Sequence, residues 1–183
     1  MRILGIDPGS HATGYGVIER DGSRVAHVAH GTVRPPRGAE LPARLGSIHD
    51  ALEEIFALHR PDVAVVERIF AGASARSALV LGHARGVALV VAFRAGVPIH
   101  EYSPAELKQA VVGTGAADKR QVQLMVRRLL GLVRVPANDA ADALAAAICH
   151  AHAGRLSALA PRIGRRSARG RSGTSRVVVR RAR

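Results

Sequence analysis

The sequence predicts an α/β domain in which helices flank a mixed five-stranded sheet. Short apolar runs, suited to strands, alternate with longer stretches whose apolar side chains recur at helical spacing. Turn-forming residues separate these stretches. The predicted order is three strands, a helix, a strand, a helix, a strand and then further helices, which is the pattern of an α/β sandwich.

The first three strands are predicted to be antiparallel neighbours. Ile3, Leu4 and Ile6 form an apolar run too short for a helix, and Asp7 closes it before the pair Pro8-Gly9. Residues 13–20 alternate as a second strand does. Asp21-Gly22 is a hairpin signal that leads into a third strand over residues 24–33.

The middle of the chain predicts a helix, a second buried strand and a long helix. Apolar residues recur at spacings of four and three from Leu41 to Ile55, so we expect an amphipathic helix that ends near His59. Residues 63–66 are apolar and finish, like the first strand, on an acid, Glu67. A long helix is expected over residues 77–95, and a fifth strand over residues 97–102.

The long helix carries small residues at four-residue spacing, at Ala78, Gly82 and Gly86. Glycine costs about 1 kcal/mol inside a helix, so such a stripe indicates close packing of another element. Two partners fit this stripe equally well. One is the chain's own sheet, and the other is the same helix of a second subunit.

Three more helices complete the domain. Ser103-Pro104-Ala105-Glu106 fits a capping box that begins a short helix through Val111. Asp118 and Gln121 predict the start of the next helix, which Gly131 ends. Asn138 is the expected N-cap of a last, alanine-rich helix that runs to about Ala153.

Composition and charge predict one domain, residues 1–154, followed by a basic and disordered tail, residues 155–183. The net charge is +13, of which the tail carries +10, because it has ten arginines and no acid. Such a tail binds any polyanion and is weak evidence for nucleic acid. No apolar run long enough for a membrane span and no signal segment is apparent, so we expect a soluble cytoplasmic protein. The single Cys149 is expected to be buried and inert.

Four acids are the candidate catalytic residues. Asp7 and Glu67 end two strands, and Asp139 and Asp142 share one face of the last helix. If those ends meet at one edge of the sheet, the four carboxylates form an oxygen-only site that suits Mg²⁺ or Mn²⁺. Four carboxylates fit two ions about 3.5–4 Å apart, an arrangement that hydrolyses phosphodiesters. The alternative is an ordinary acidic first turn of the helix.

The two lysines and one phenylalanine are further candidates. The chain has only two lysines, Lys108 and Lys119, and both flank the loop Gly113-Thr114-Gly115. Either they act as point charges beside a phosphate, or they have no special role and are simply the few lysines of an arginine-rich chain. Phe70 follows Glu67 and is either a core anchor or a base-stacking side chain. We also expect Arg76 to contact DNA, together with Phe70 and the two lysines.

Several blocks of this sequence resemble the RuvC family of Holliday-junction resolvases. They are IDPGSHATGYGV, VVERIF, SALVLGHARGVA, KQAVVGTGAADKRQVQ and NDAADALAAAICH, and the resemblance covers residues 1–153. It implies an RNase H-like fold, a homodimer with two active sites, and Mg²⁺-dependent paired nicks in a four-way DNA junction. It also implies work alongside the branch-migration proteins RuvA and RuvB.

The resemblance assigns roles to residues of this chain. It makes metal-binding catalytic carboxylates of Asp7, Glu67, Asp139 and Asp142. It places Lys108 and Lys119 beside the site as basic residues and Phe70 at the junction centre. The arginine-rich tail has no counterpart in the family pattern, so it either adds sequence-independent DNA affinity or is dispensable.

Two rival functions are compatible with parts of the sequence. The turn after the first strand also resembles that of ATPases of the actin, Hsp70 and sugar-kinase type, in which it holds phosphate. Those proteins need a second lobe for which 183 residues leave no room. A non-catalytic DNA-binding relative would have lost the acids, and all four are present.

Overall fold

The computed structural model describes residues 1–68 and 75–159, with side chains described for residues 1–68 and 77–153. Within these ranges the chain alternates strands and helices in the predicted order. The strands are β1 Arg2–Asp7, β2 Thr13–Asp21, β3 Arg24–Val33, β4 Val63–Glu67 and β5 Ile99–Tyr102. The helices are α1 Leu41–His59, α2 Ala75–Arg94, α3 Pro104–Val112, α4 Lys119–Leu129 and α5 Asn138–Leu159.

The strands form one mixed sheet in the order β3-β2-β1-β4-β5. β1 pairs antiparallel with β2 and β2 with β3, as the hairpin signal predicted. β1 pairs parallel with β4, and β4 pairs parallel with β5. The mixed five-stranded sheet is therefore confirmed, and β1 and β4 lie side by side at its centre.

Each face of the sheet carries its own apolar core, because successive side chains of a strand point to opposite faces. Ile3 and Val65 pack with α3, α4 and α5 on one face. Leu4 and Ala64 pack with α1 and α2 on the other. The molecule thus has three layers, helices, sheet and helices, and the last residue of β1 and of β4 falls on the α5 face.

Helix α5 lies very close to the sheet, because glycines of β1 and β2 face the backbone of the helix. A Cβ atom added to Gly5 or to Gly14 would come within 1.9 Å of a backbone oxygen, that of Ala143 or of Asp139 respectively. Both positions therefore need glycine for the helix to approach. The contact fixes the start of α5 directly above the ends of the central strands.

Most predicted helix ends are confirmed, and α5 differs at both ends. Ser103 with Glu106 and Asp118 with Gln121 form complete capping boxes at the starts of α3 and α4. α5 begins at Asn138 itself, since the Ala137 carbonyl already accepts from the amide of Ala141. The helix continues to Leu159, five residues into the predicted tail, because Gly154 does not end it. Residues 160–183 lie outside the described residues.

The glycine stripe of α2 does not pack against the sheet of its own chain. Among the described atoms, nothing lies within 4 Å of a Cβ added to Gly82 or to Gly86. The same side of the helix exposes Leu79, Val90 and Phe93. Close packing on the chain's own sheet is therefore the wrong alternative for these two glycines.

One stretch of α2, Ser77–Arg94, is long and apolar enough by length and composition to cross a membrane, with a mean hydropathy of 1.4. These two properties do not distinguish a span from a helix that flanks a folded core. In the structure one side of α2 packs on α1 and on the sheet through Ala84, Ala88 and Val91. Arg85, in the middle of the stretch, pairs with Glu101 of β5.

Cys149 is buried on α5, as predicted. It is 5% exposed, and its thiol contacts the backbone oxygen of Glu106. Burial raises the pKa of this thiol to about 11, with a smaller contribution from the charge of Glu106. The thiol is therefore protonated at neutral pH and is a poor nucleophile.

Candidate active site

Asp7 is the last residue of β1, and a hydroxyl closes the turn behind it. The buried side chain of Thr13 donates to the Gly9 carbonyl at 2.8 Å and accepts from the Gly9 amide at 3.3 Å. The loop from Pro8 to Ala12 is therefore tied back to the start of β2. This fixes the direction in which the chain leaves Asp7.

Glu67 ends the neighbouring parallel strand at the same level as Asp7. Ile6 pairs with Val66 in the ladder, so the two acids occupy the next positions along β1 and β4. Both fall on the face that α5 covers, by the alternation of the strands. Their side chains are close enough to share a hydrogen bond.

Asp142 joins them from the second turn of α5. Asp7, Glu67 and Asp142 line one cavity of about 340 Å³ together with both lysines, Lys108 and Lys119. The remaining walls are the largely apolar side chains of Pro104, Leu107, Val122 and Ala145. Acids from three distant parts of the sequence are thus brought together, as the sequence predicted for these three.

The pKa of Asp7 is raised to about 8, because the carboxyl is buried and then because Glu67, Asp142 and Asp139 are negatively charged. Burial and the charge of Asp142 also raise the pKa of Glu67. Burial raises the pKa of Asp142 as well, and the charge of Asp139 adds to it. Ionising all three acids in this cavity is therefore unfavourable until positive charge is added, which is the electrostatic condition for binding a cation.

The two lysines oppose the rise in the pKa values of the acids. Lys108 lies on α3 and Lys119 is the first residue of α4, just after the capping residue Asp118. Their positive charges lower the pKa of Glu67 and of Asp142, but less than burial raises each. The structure therefore places both lysines in the cavity of the three acids.

Asp139 does not line the cavity of the other three acids. Its carboxylate lies 3.6 Å from the guanidinium of Arg34, which follows β3, and it borders a neighbouring cavity of about 530 Å³. Sequence reasoning missed Arg34, since an arginine after a strand carries no signal that it meets an acid 105 positions later. Asp139 still raises the pKa of Asp7 and of Asp142, so it remains within electrostatic reach of the site.

The carboxylates of Asp7, Glu67 and Asp142 are suitable ligands for hard divalent cations. To bind one ion together, these side chains would have to move closer to each other. Half-buried carboxylates are the ligands that Mg²⁺ and Mn²⁺ prefer. In residues 1–68 and 75–159, no three carboxylate, imidazole or thiol groups are already spaced to hold one ion. Because the pKa values of these acids are raised, bringing the ionised carboxylates closer together needs a positive charge between them.

Two predicted DNA contacts cannot be placed. Phe70 lies outside the described residues. Arg76 lies in the first turn of α2, and its side chain is outside the described part of the chain. Both remain predictions.

A three-layer domain with acids at the ends of its central strands and on the helix above them belongs to the RNase H-like class of nucleases. The chain matches the family model described as "Crossover junction endodeoxyribonuclease RuvC" over residues 3–150. This protein is a member of the RuvC family. Membership of this family argues against the alternative that the chain is an ATPase of the actin, Hsp70 and sugar-kinase type.

The relatives match over nearly their whole length. The RuvC of Halorhodospira halophila is 56% identical over 82% of this chain and 90% of its own. The RuvC of Geobacter sp. (strain M21) is 52% identical over 87% of this chain and 97% of its own. The solved T. thermophilus RuvC in complex with a Holliday junction substrate is 37% identical, covers 86% of this chain and 96% of its own, and has a TM-score of 0.79.

Proposed function

We propose that this protein resolves four-way DNA junctions by paired, symmetric, metal-dependent nicks during recombination and repair. One observation carries the proposal: Asp7, Glu67 and Asp142, from distant segments, line one cavity together with the chain's only two lysines. The related T. thermophilus protein is solved in complex with a Holliday junction substrate. The acids and lysines are therefore proposed to act on a junction phosphodiester.

The acids are proposed to hold the metal. Asp7, Glu67 and Asp142 would bind Mg²⁺, or Mn²⁺ in its place, and Asp139 would complete the set for two ions per subunit. Bound Mg²⁺ would supply Lewis acidity at the phosphodiester and lower the pKa of the attacking water. Deprotonation of Asp7 is favoured once a cation offsets the charges of Glu67 and Asp142.

The remaining residues of the cavity would position the phosphate. Lys108 and Lys119 would neutralise the charge that grows on the phosphate oxygens during the displacement. The apolar walls from Leu107, Val122 and Ala145 limit the water around these charges, which strengthens their interaction. Phe70 is proposed to stack on a base at the junction centre, and Arg76 to contact the DNA backbone.

The second subunit is proposed to dock on α2. Two nicks at symmetric positions require two active sites, and α2 exposes an apolar edge built from Leu79, Gly82, Gly86, Val90 and Phe93. Glycines on such an edge let two helices approach closely. The family resemblance further supports RuvA and RuvB as partners and a cytoplasmic location.

A labelled immobile four-way junction and a linear duplex of the same sequence test this function. We expect paired nicks in the junction with Mg²⁺, none with a chelator, and no cutting of the duplex under either condition. Cutting of the duplex at the junction's rate would contradict structure selectivity. Cutting that survives the chelator would contradict the role of the metal.

A further inference from the structure

A groove beside the acids is lined by three arginines. It has a volume of about 650 Å³ and lies between the loop after β1, the segment that joins β3 to α1, and the first turns of α1. We name it the basic groove, and its charged lining is Arg34, Arg37, Arg44, Glu40 and the imidazole of His11. Three guanidinium groups against one carboxylate give the lining a net positive charge.

The basic groove adjoins the cavity that Asp139 borders. His11 and Val80 line both the groove and the neighbouring cavity of about 530 Å³ that Asp139 borders. Asp142, one turn further along α5, lines the catalytic cavity. The two acids of α5 line separate cavities, but they lie only three residues apart on one helix, so a strand lying in the groove would reach α5 within one turn of the catalytic cavity.

The arginines of the groove are available to an anion. In the described part of the chain, neither Arg37 nor Arg44 forms an ion pair with an acid. Arg44 donates to the Nε2 atom of His11 at 2.8 Å, and its Nε is buried without a hydrogen-bond partner. Within residues 1–68 and 75–159, the partner of Arg34 is Asp139, in an exposed ion pair. Among the described residues, none of these guanidinium charges is neutralised within a buried network.

Arginine in this setting is suited to phosphate. Its planar guanidinium donates two parallel hydrogen bonds to phosphate oxygens, whereas lysine acts as a point charge. The groove therefore differs chemically from the catalytic cavity, whose basic groups are both lysines. A groove of this kind contacts the sugar-phosphate backbone without reading the bases.

We infer that the basic groove binds backbone phosphates of the junction arm next to the cut, through Arg37 and Arg44. This inference rests on the proposed function, because it takes junction DNA as the substrate. Binding there leads the strand past Asp139 and towards the catalytic cavity. It also brings phosphate close enough to compete with Asp139 for Arg34.

The test compares two charge-matched double variants of the full chain. Arg37→Gln with Arg44→Gln removes two groove charges. Arg24→Gln with Arg94→Gln removes two exposed charges remote from the groove, at the start of β3 and the end of α2. Junction affinity is measured in a chelator over a range of salt concentrations, so that binding is observed without cutting. Arg37→Gln alone serves as a second variant, because Arg37 is exposed and its substitution does not threaten the fold.

Each arginine that neutralises a phosphate contributes about 0.9 to the slope of log affinity against log salt. We therefore expect a slope reduced by about 1.8 for the groove pair, by about 0.9 for Arg37→Gln, and unchanged for the remote pair. An unchanged slope in Arg37→Gln and the groove pair, or an equal reduction in the remote pair, overturns the inference. If the inference is overturned in this way but the unmodified chain still cuts junctions in Mg²⁺, the proposed function is unaffected. Failure of the unmodified chain to bind or cut a junction would contradict both.

Discussion

The guanidinium of Arg34 lies 3.6 Å from the carboxylate of Asp139, the one predicted metal ligand that does not line the cavity of the other three. The pair connects the end of β3 to the first turn of α5. Because the Arg34 side chain is 62% exposed, solvent screens the attraction, which contributes at most about 1 kcal/mol. Asp139 is therefore only weakly restrained and remains available to the site.

Asp7→Asn should abolish cutting and leave junction binding intact. Asparagine keeps the shape of the side chain but removes a carboxylate that would bind the metal, at a position where no phosphate contact is expected. A gel assay of cutting and binding on one labelled junction would measure both properties. Glu54→Gln, which removes an exposed charge on α1, should change neither of them. Retained cutting by Asp7→Asn would count against the metal site.

The stability of the metal-free protein should fall as the pH rises from about 6.5 to 8.5. The pKa of Asp7 is about 8 in the folded protein and 3.8 in its ordinary state. Between these values the folded protein binds a proton that the unfolded chain lacks, so ionisation of Asp7 lowers the free energy of unfolding.

Thermal unfolding of the unmodified chain and of Asp7→Asn at the two pH values would measure this effect. Between the two pH values we expect the unmodified chain to lose about 2 kcal/mol more stability than Asp7→Asn, or about 4–8 °C more in Tm for a chain of this size. Above pH 6.5 the measurement avoids His150, whose pKa burial lowers to about 4 and which acts in the opposite direction. An equal fall in both proteins would exclude Asp7 as the cause.

Gly14→Ala should impair both stability and cutting. The added Cβ would lie 1.9 Å from the backbone oxygen of Asp139, so α5 must move away and take its acids with it. Overpacking of this kind costs about 1–3 kcal/mol. Gly46→Ala on α1, where nothing lies within 4 Å, is the matched control and should stabilise the protein by up to about 1 kcal/mol. Denaturant unfolding and the junction assay would test both variants.

Light scattering should give twice the chain mass of 19.2 kDa. Val90→Ser with Phe93→Ser should shift the protein towards the monomer, because these side chains are 52% and 78% exposed on the apolar edge of α2. Val133→Ser, at a side chain that is 95% exposed elsewhere, should leave the mass unchanged. An unmodified protein that is strictly monomeric at assay concentration would contradict the paired-nick mechanism.

Truncation after Leu159, where α5 ends, should flatten the salt dependence of DNA binding while the fold is retained. The truncation removes nine arginines, and each of them that neutralises a phosphate contributes about 0.9 to the log–log slope. Binding titrations at several salt concentrations measure the slope, and the full chain is the reference. An identical slope in both proteins would show that residues 160–183 make no contact with DNA.

The sequence predicted those parts of the fold that depend on neighbouring residues. The two capping boxes need only a side chain and an amide three residues apart, and Asp7 and Glu67 each follow a recognisable apolar run. The Arg34–Asp139 pair depends on how the chain returns after α4, so no local pattern contains it. The predicted end of α5 is too early for a related reason, since Gly154 is a weak break that a packed helix overrides.

The side-by-side placement of β1 and β4 also determines how robust this centre is. Backbone hydrogen bonding keeps adjacent strands about 4.8 Å apart, so the spacing of Asp7 and Glu67 derives from the peptide ladder rather than from side-chain contacts. The spacing of the strands therefore sets the distance between these two carboxyl groups. Loops and outer helices can therefore be remodelled, to suit other junction geometries or other partners, while the distance between these two acids stays the same.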